Sequence, residues 1–298
     1  MNNYWWPILL TIGVALIIVI LSLYLNAIRD LESGFISAKP GRKYAPRSLQ
    51  SPLGLTFRLQ RTGIITWIVA MFILGASYGS VLGDLESFFA GNEMMQELLT
   101  SAEGFSLTEQ FIPMLMSIMA MISTVPALMG IFKLKGEENK NRTEHLLSRA
   151  VSRTQLLGGY FLISLVISYV MLFLTAFGFW SAGSAVLEDG ISFAMLHNAA
   201  VVYLPALWTM IGIAVLLVGF APKFTGLTWL YLGYSFIVVY LGGLLQFPEW
   251  MSYLSPFGYI PQLPVEDMDF VKSAVLTFIA VVLVVVGFIG YNRRDIDG

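Results

Sequence analysis

An all-α, polytopic integral membrane protein is what these 298 residues should build. First, 57% of the chain is hydrophobic and only 12% is charged, against about 25% charged in soluble domains. A chain of this length and charge cannot clothe itself in a water-facing surface, which excludes a soluble enzyme, a nucleic-acid binder and a disordered protein. Second, the apolar residues fall in continuous runs, each able to supply the ~20 residues that cross a ~30 Å bilayer core. A barrel would instead show alternating segments of ~10 residues. Third, the charges between the runs are sorted by sign.

Seven spans are expected, at residues 5–25, 63–82, 111–132, 158–182, 198–220, 224–245 and 273–291. The loops alternate in charge across all seven. One side collects sixteen of the 17 basic residues with seven acidic ones; the other holds Lys272 and twelve acidic residues. Positive loops stay in the cytoplasm. The first helix should therefore enter from outside and the C-terminus should lie inside, in the plasma membrane.

The first run begins with Tyr4-Trp5-Trp6 and has no Lys or Arg before Arg29. It is also longer than the 7–15 apolar residues of a signal peptide, so it reads as an anchor. So short an outside tail leads to the expectation that helices precede it or come from another chain. Its ending, Ile28-Arg29-Asp30-Leu31-Glu32, is echoed by Arg293-Arg294-Asp295-Ile296-Asp297 after the last span, the trace of an internal repeat. On that reading residues 1–28 are the last helix of a preceding repeat, 29–50 a basic Pro/Gly-punctuated cytoplasmic linker, and 51–298 a complete six-helix unit.

Ser51 and Pro52 form a cap and first position for a helix start. The second span carries Gly75, Gly79 and Gly83, spaced by four and hence on one face, where helix backbones can approach closely. That face suits packing within the subunit or a seam between subunits. Beyond it, Asn92 should cap a short outer helix with Met94, Met95, Leu98 and Leu99 on one stripe. The connection 246–270 sets Pro248, Pro256, Pro261 and Pro264 among Trp250, Tyr253, Phe257 and Tyr259. Short re-entrant helices in the outer leaflet satisfy both the prolines and the aromatics.

The cytoplasmic loop 133–155 is the most informative segment. Gly136 is expected to end the third span and Thr143 to cap a short helix carrying Leu146 and Leu147. Ser152 and Gln155 should form a capping box that starts the fourth span. With charges of both signs, the loop reads as a docking surface or as a solvated connector.

No predicted span contains Asp, Glu, Lys or Arg, residues that mark ion pathways and intramembrane catalysis. His145 and His197 belong to no zinc-binding pattern, Gly-x-Ser-x-Gly is absent, and there is no cysteine. An intramembrane enzyme is thereby disfavoured. Without a Gly-x-x-x-x-Gly-Lys-Ser/Thr loop the chain has no such route to ATP.

Glu137-Glu138, Arg142-Thr143-Glu144-x-Leu146-Leu147-Ser148 and Val151-Ser152-Arg153 resemble the first cytoplasmic loop of ABC-2-type transporter permeases. Ser51-Pro52-Leu53, Phe57-Arg58-Leu59-Gln60-Arg61, Leu254-Ser255-Pro256-Phe257 and Arg293-Arg294-Asp295-Ile296 are similar to the polyketide-antibiotic exporters of the tetronasin-resistance type. In order and spacing the likeness extends over nearly the whole chain, as the second half of such a permease plus the last helix of its first. Two departures are Asn141, where the family has glycine, and Ala150, where it has proline.

The resemblance implies a membrane-hugging elbow at 51–61 and a coupling helix in the loop, seated on a separate ABC ATPase. Glu137, Glu138, Arg142, Thr143, Glu144, Leu146, Leu147, Val151, Ser152 and Arg153 would then face that partner or brace the loop. The chain itself would need no cofactor, since ATP and Mg²⁺ belong to the ATPase. A second permease half or copy, the lipid bilayer and a small lipophilic or amphiphilic cargo complete the implied partners. A non-transport immunity or sensor component is the alternative, distinguished by whether an ATPase co-purifies.

Overall fold

The computed structural model describes residues 5–28, 44, 46, 49, 51–84, 106–148, 151–187, 190–242 and 245–295. The predicted outer helix at 92–99 and most of the linker lie outside these. The chain divides into two compact units, 1–46 and 47–298. Among the described residues every regular element is helical, and six helical stretches are long and apolar enough to cross a membrane. The chain is a polytopic all-α membrane protein.

The first unit contributes α1 (Trp6–Ile28), uncharged over 23 residues. At 1.5 Å per residue it is about 35 Å long, enough to span the hydrocarbon core.

The second unit begins with α2 (Pro52–Ser80), capped by the Ser51 hydroxyl, which accepts from the Gly54 N–H at 3.1 Å. Residues 52–61, within the segment expected as a membrane-hugging elbow, form the first turns of this one 29-residue helix. Nothing in Leu53–Arg61 breaks it: Gly54 is tolerated in the first turn and no second proline follows.

Helix α3 (Leu107–Glu138) starts with a reciprocal Ser106/Glu109 capping box. It is the buried centre of the unit, with Ile112, Leu115, Met116, Met119, Leu128 and Ile131 all but inaccessible. Pro126 inside it cannot donate to the Ile122 carbonyl. After α4 (Glu144–Leu147), α5 (Arg153–Val186) returns across the unit, and α6 (Phe193–Val201) and α7 (Leu204–Phe220) cross it again as one broken stretch.

The predicted span 224–245 contains a regular helix of only 14 residues, α8 (Leu227–Tyr240), about 21 Å long. Pro222 and Gly226 before it and Gly242 after it trim both ends. The chain nevertheless runs between the two ends of the unit. The Lys135 ammonium at the end of α3 donates to the Thr225 hydroxyl at 2.8 Å. Val238, Tyr240 and Gly242 line a cavity with Gln110 and Pro113 at the start of α3.

The connection to α10 (Phe270–Arg293) folds back along α8 through α9 (Glu249–Ser252) and a 3-10 turn at Pro256–Tyr259. The Tyr231 and Tyr234 hydroxyls donate to the Leu254 and Met251 carbonyls at 2.6 and 2.9 Å. Asp269 caps α10, accepting from the Val271 and Lys272 N–H groups at 3.0 Å each. The Lys272 N–H foremost, with its ammonium 3.3 Å away, holds the Asp269 carboxyl below its ordinary value.

Two helix pairs meet backbone to backbone. A Cβ at Gly79 of α2 would lie 2.3 Å from the Phe179 carbonyl oxygen of α5, and one at Gly75 would lie 2.2 Å from that of Thr175. Gly83, beyond the helix, meets the Val186 side chain. The ladder therefore packs within the subunit. A Cβ at Gly219 of α7 would lie 2.2 Å from the Gly287 carbonyl of α10, a seam the sequence did not announce.

Candidate functional site

At one end of the second unit gather Lys133, Lys135, Lys140, Arg142, Arg153, Lys223, Arg293 and Arg294, around the predicted coupling loop. At the other stand Asp84, Glu109, Glu249, Glu266, Asp267 and Asp269 with Lys272. Among the described residues of this unit, the charge sorting read from the sequence is thus a separation of the two ends in space.

Helix α3 does not stop at Gly136, where the sequence led us to expect its cap, but continues to Glu138. The reversal comes at Asn141, which takes the left-handed conformation with φ of 54°. The Arg142 N–H reaches back to the Glu137 carbonyl at 3.1 Å and the Asn141 N–H to that of Glu138 at 2.8 Å. This is the paired-bond ending normally built on glycine, and asparagine is among the few other residues that tolerate it. The departure at Asn141 therefore keeps the turn.

The short helix α4 forms where expected, but the Thr143 hydroxyl does not cap it. Thr143 is helical rather than extended, and its buried hydroxyl has no hydrogen-bond partner among the described residues. Its carbonyl instead accepts from the Leu146 and Leu147 N–H groups at 3.0 and 2.9 Å. Leu146, Leu147 and Val151 are half-buried against the core of the unit rather than exposed. The capping box at the start of α5 is present: Gln155 N–H to Ser152 hydroxyl and Ser152 N–H to Gln155 Oε1, both at 3.1 Å.

Adjacent carboxylates on α3 do different jobs. Glu137, 5% exposed, holds the loop down by accepting from the Arg142 guanidinium at 3.2 Å, with Lys133 at 3.7 Å. Glu138, 8% exposed, accepts from the Tyr291 hydroxyl and the Arg294 guanidinium, each at 2.7 Å. Arg294 also donates to the Val218 carbonyl at 2.9 Å, so this cluster joins α3, α7 and the end of α10. Arg153 donates to the Asn292 carbonyl at 3.2 Å and to that of Arg294, and Thr154 pairs with the Asn292 amide.

Of the predicted residues, Glu137, Glu138, Ser152 and Arg153 thus brace the basic end, and Leu146, Leu147 and Val151 pack beneath it. Glu144 and Arg142 are exposed on its rim, beside Lys140. Tyr291 and Asn292 were not singled out in the sequence. They sit more than 130 residues from the loop, and a tyrosine closing an apolar helix is an ordinary interfacial anchor. The one available signal was the repeated Arg-Asp ending that includes Arg294.

A family profile described as the C-terminal domain of the multidrug efflux system permease Rv1217c matches residues 49–292. The multidrug efflux system permease protein Rv1217c of Mycobacterium tuberculosis (strain ATCC 25618 / H37Rv) is 32% identical over 295 residues, covering 98% of this chain and 54% of the relative. The chain thus spans about half the length of the curated relative it matches. By the profile match, which takes in most of its residues, the chain belongs to the family of the C-terminal domain of Rv1217c-type multidrug efflux permeases.

Proposed function

We propose that this chain is a membrane-spanning half of an ABC-2-type exporter, of the tetronasin-resistance kind, that carries a lipophilic or amphiphilic compound such as an antibiotic out of the cell. A separate ATPase, binding ATP and Mg²⁺, supplies the energy. A second half or copy completes the pathway. The basic end faces the cytoplasm, so α1 enters from outside and α10 ends inside.

The observation that carries this reading is the braced loop. A coupling element must be stiff toward the helices and specific toward its partner. The Glu138–Tyr291–Arg294 cluster and the Ser152/Gln155 box supply the stiffness, since both fix the loop directly to spans. The exposed Lys140, Arg142 and Glu144 supply charges of both signs for a partner of complementary pattern. Leu147 packs inward, so the informative change is Glu144→Lys with Lys140→Glu, which reverses the rim without touching the core. In a complete transporter this double change should reduce export at least tenfold while membrane insertion stays intact. Normal export with normal ATPase association would move the coupling surface elsewhere.

A further inference from the structure

A cleft of about 760 Å³ opens at the acidic end of the second unit, far from the loop. Its walls are the junction of α6 and α7, with Met195, Val202 and Trp208, and the segment before α10, with Leu263 and Met268. Its size falls within the ~300–1,000 Å³ of small-molecule sites, and like them it is mainly apolar with few polar groups. The charged residues that line it are Glu266 and Asp267, both exposed at its mouth.

Among the described residues no cation is paired with those carboxylates. Lys272, the basic residue of this end, is 3.3 Å from Asp269. Neither Glu266 nor Asp267 takes part in a salt bridge among the described residues. Glu266 is held in place by the Gln262 N–H, which donates to Oε2 at 2.9 Å. Oε1 makes no hydrogen bond among the described residues. An apolar chamber with two uncompensated carboxylates at its entrance selects by sign. An anion would meet repulsion from both; a cation would exchange part of its hydration for their attraction, with its apolar body against Trp208 and the methionines.

We propose that this cleft binds lipophilic organic monocations, with the charged centre between Glu266 and Asp267 and the apolar body toward Trp208. The inference rests on the exporter reading only for its meaning as a cargo site; the binding itself stands on the cleft. The test uses the full chain in nanodiscs, without ATPase or nucleotide, and two probes of nearly equal shape and opposite charge, tetraphenylphosphonium and tetraphenylborate. Equilibrium binding is measured for each against the unaltered chain and Glu266→Gln with Asp267→Asn, with empty nanodiscs subtracted. Saturable binding of the phosphonium alone is expected, weakened about tenfold in the double variant and weakened also by added salt, because the charges lie at the surface. Equal binding of both ions, or a double variant that binds the phosphonium as well as the unaltered chain, would overturn the proposal. Failure here would leave the exporter reading standing, since no step of export enters the measurement. Phosphonium binding together with failed export in a complete transporter would leave a cation site on a membrane protein that is not an exporter.

Discussion

Arg294 and Glu138 are 15% and 8% exposed in their side chains and lie 2.7 Å apart, so their pairing differs in kind from a surface salt bridge. A surface pair contributes about 0–1 kcal/mol, whereas removing one member of a buried pair costs about 3–5 kcal/mol, because the survivor stays desolvated and uncompensated. Arg294→Gln leaves the Glu138 carboxylate, among the described residues, with the Tyr291 hydroxyl as its side-chain donor and deprives the Val218 carbonyl of its own. We expect a loss of about 3 kcal/mol, the low end of that range because Arg294 keeps some contact with water. Glu138→Gln should cost less, about 1–2 kcal/mol: Arg294 retains the Val218 carbonyl and stacks 5.3 Å from the Tyr291 ring centroid. The double variant should lose about as much as Arg294→Gln alone, leaving a coupling of about 1–2 kcal/mol between the sites. Equilibrium unfolding in mixed detergent micelles measures all three. Costs that add to within about 0.5 kcal/mol would show that the two groups act independently and refute the brace.

Gly79→Ala should destabilise the second unit by about 1–3 kcal/mol, since its methyl would meet the Phe179 carbonyl of α5. Gly63→Ala, on the same helix with open space around it, should be neutral or slightly stabilising in the same unfolding measurement. The chain has no cysteine, so single cysteines report topology directly. A cysteine at Glu249 should react with an impermeant maleimide from outside intact cells, and one at Lys223 only after permeabilisation. The reverse pattern would invert the proposed orientation.

What the sequence made legible follows from which forces are local. The spans could be read because each is a continuous apolar run, and the sorting of charge because each loop carries its own sign. The Ser152/Gln155 box and the Ser51 cap are contained within four residues. The length of α8 was not legible, because an apolar run does not show where Pro222, Gly226 and Gly242 interrupt the helix. Gly136 misled because the helix ends where the backbone turns left-handed, and that position fell to Asn141; Thr143 misled because an N-cap needs an extended backbone, and its own is helical. The glycine ladder was visible as spacing, but its partner on α5 lies about a hundred residues away. Gly219 and Gly287 form no motif within either helix, and the Glu138–Tyr291 bond joins residues 153 apart. Such contacts leave no periodic trace.

The glycine seams constrain how this unit could transmit work. Where carbonyl meets Cα there is no compliant layer of side chains, and sliding by one residue, about 1.5 Å, drives a Cβ into the facing backbone. Helices α2 and α5 must therefore travel as one block, and α7 and α10 as another. Compliance has to reside between the blocks, which meet through α3, packed against α5 and α7, and through lighter direct contacts of α5 with α7 and α10. Helix α3 carries Met114, Met116, Met119 and Met121, unbranched side chains that repack at little cost. It also contains Pro126, where one backbone bond is already missing. In mechanical terms the second unit is two stiff staves on either side of a pliable keel, and the keel ends at Glu137 and Glu138, beneath the loop that would receive the push.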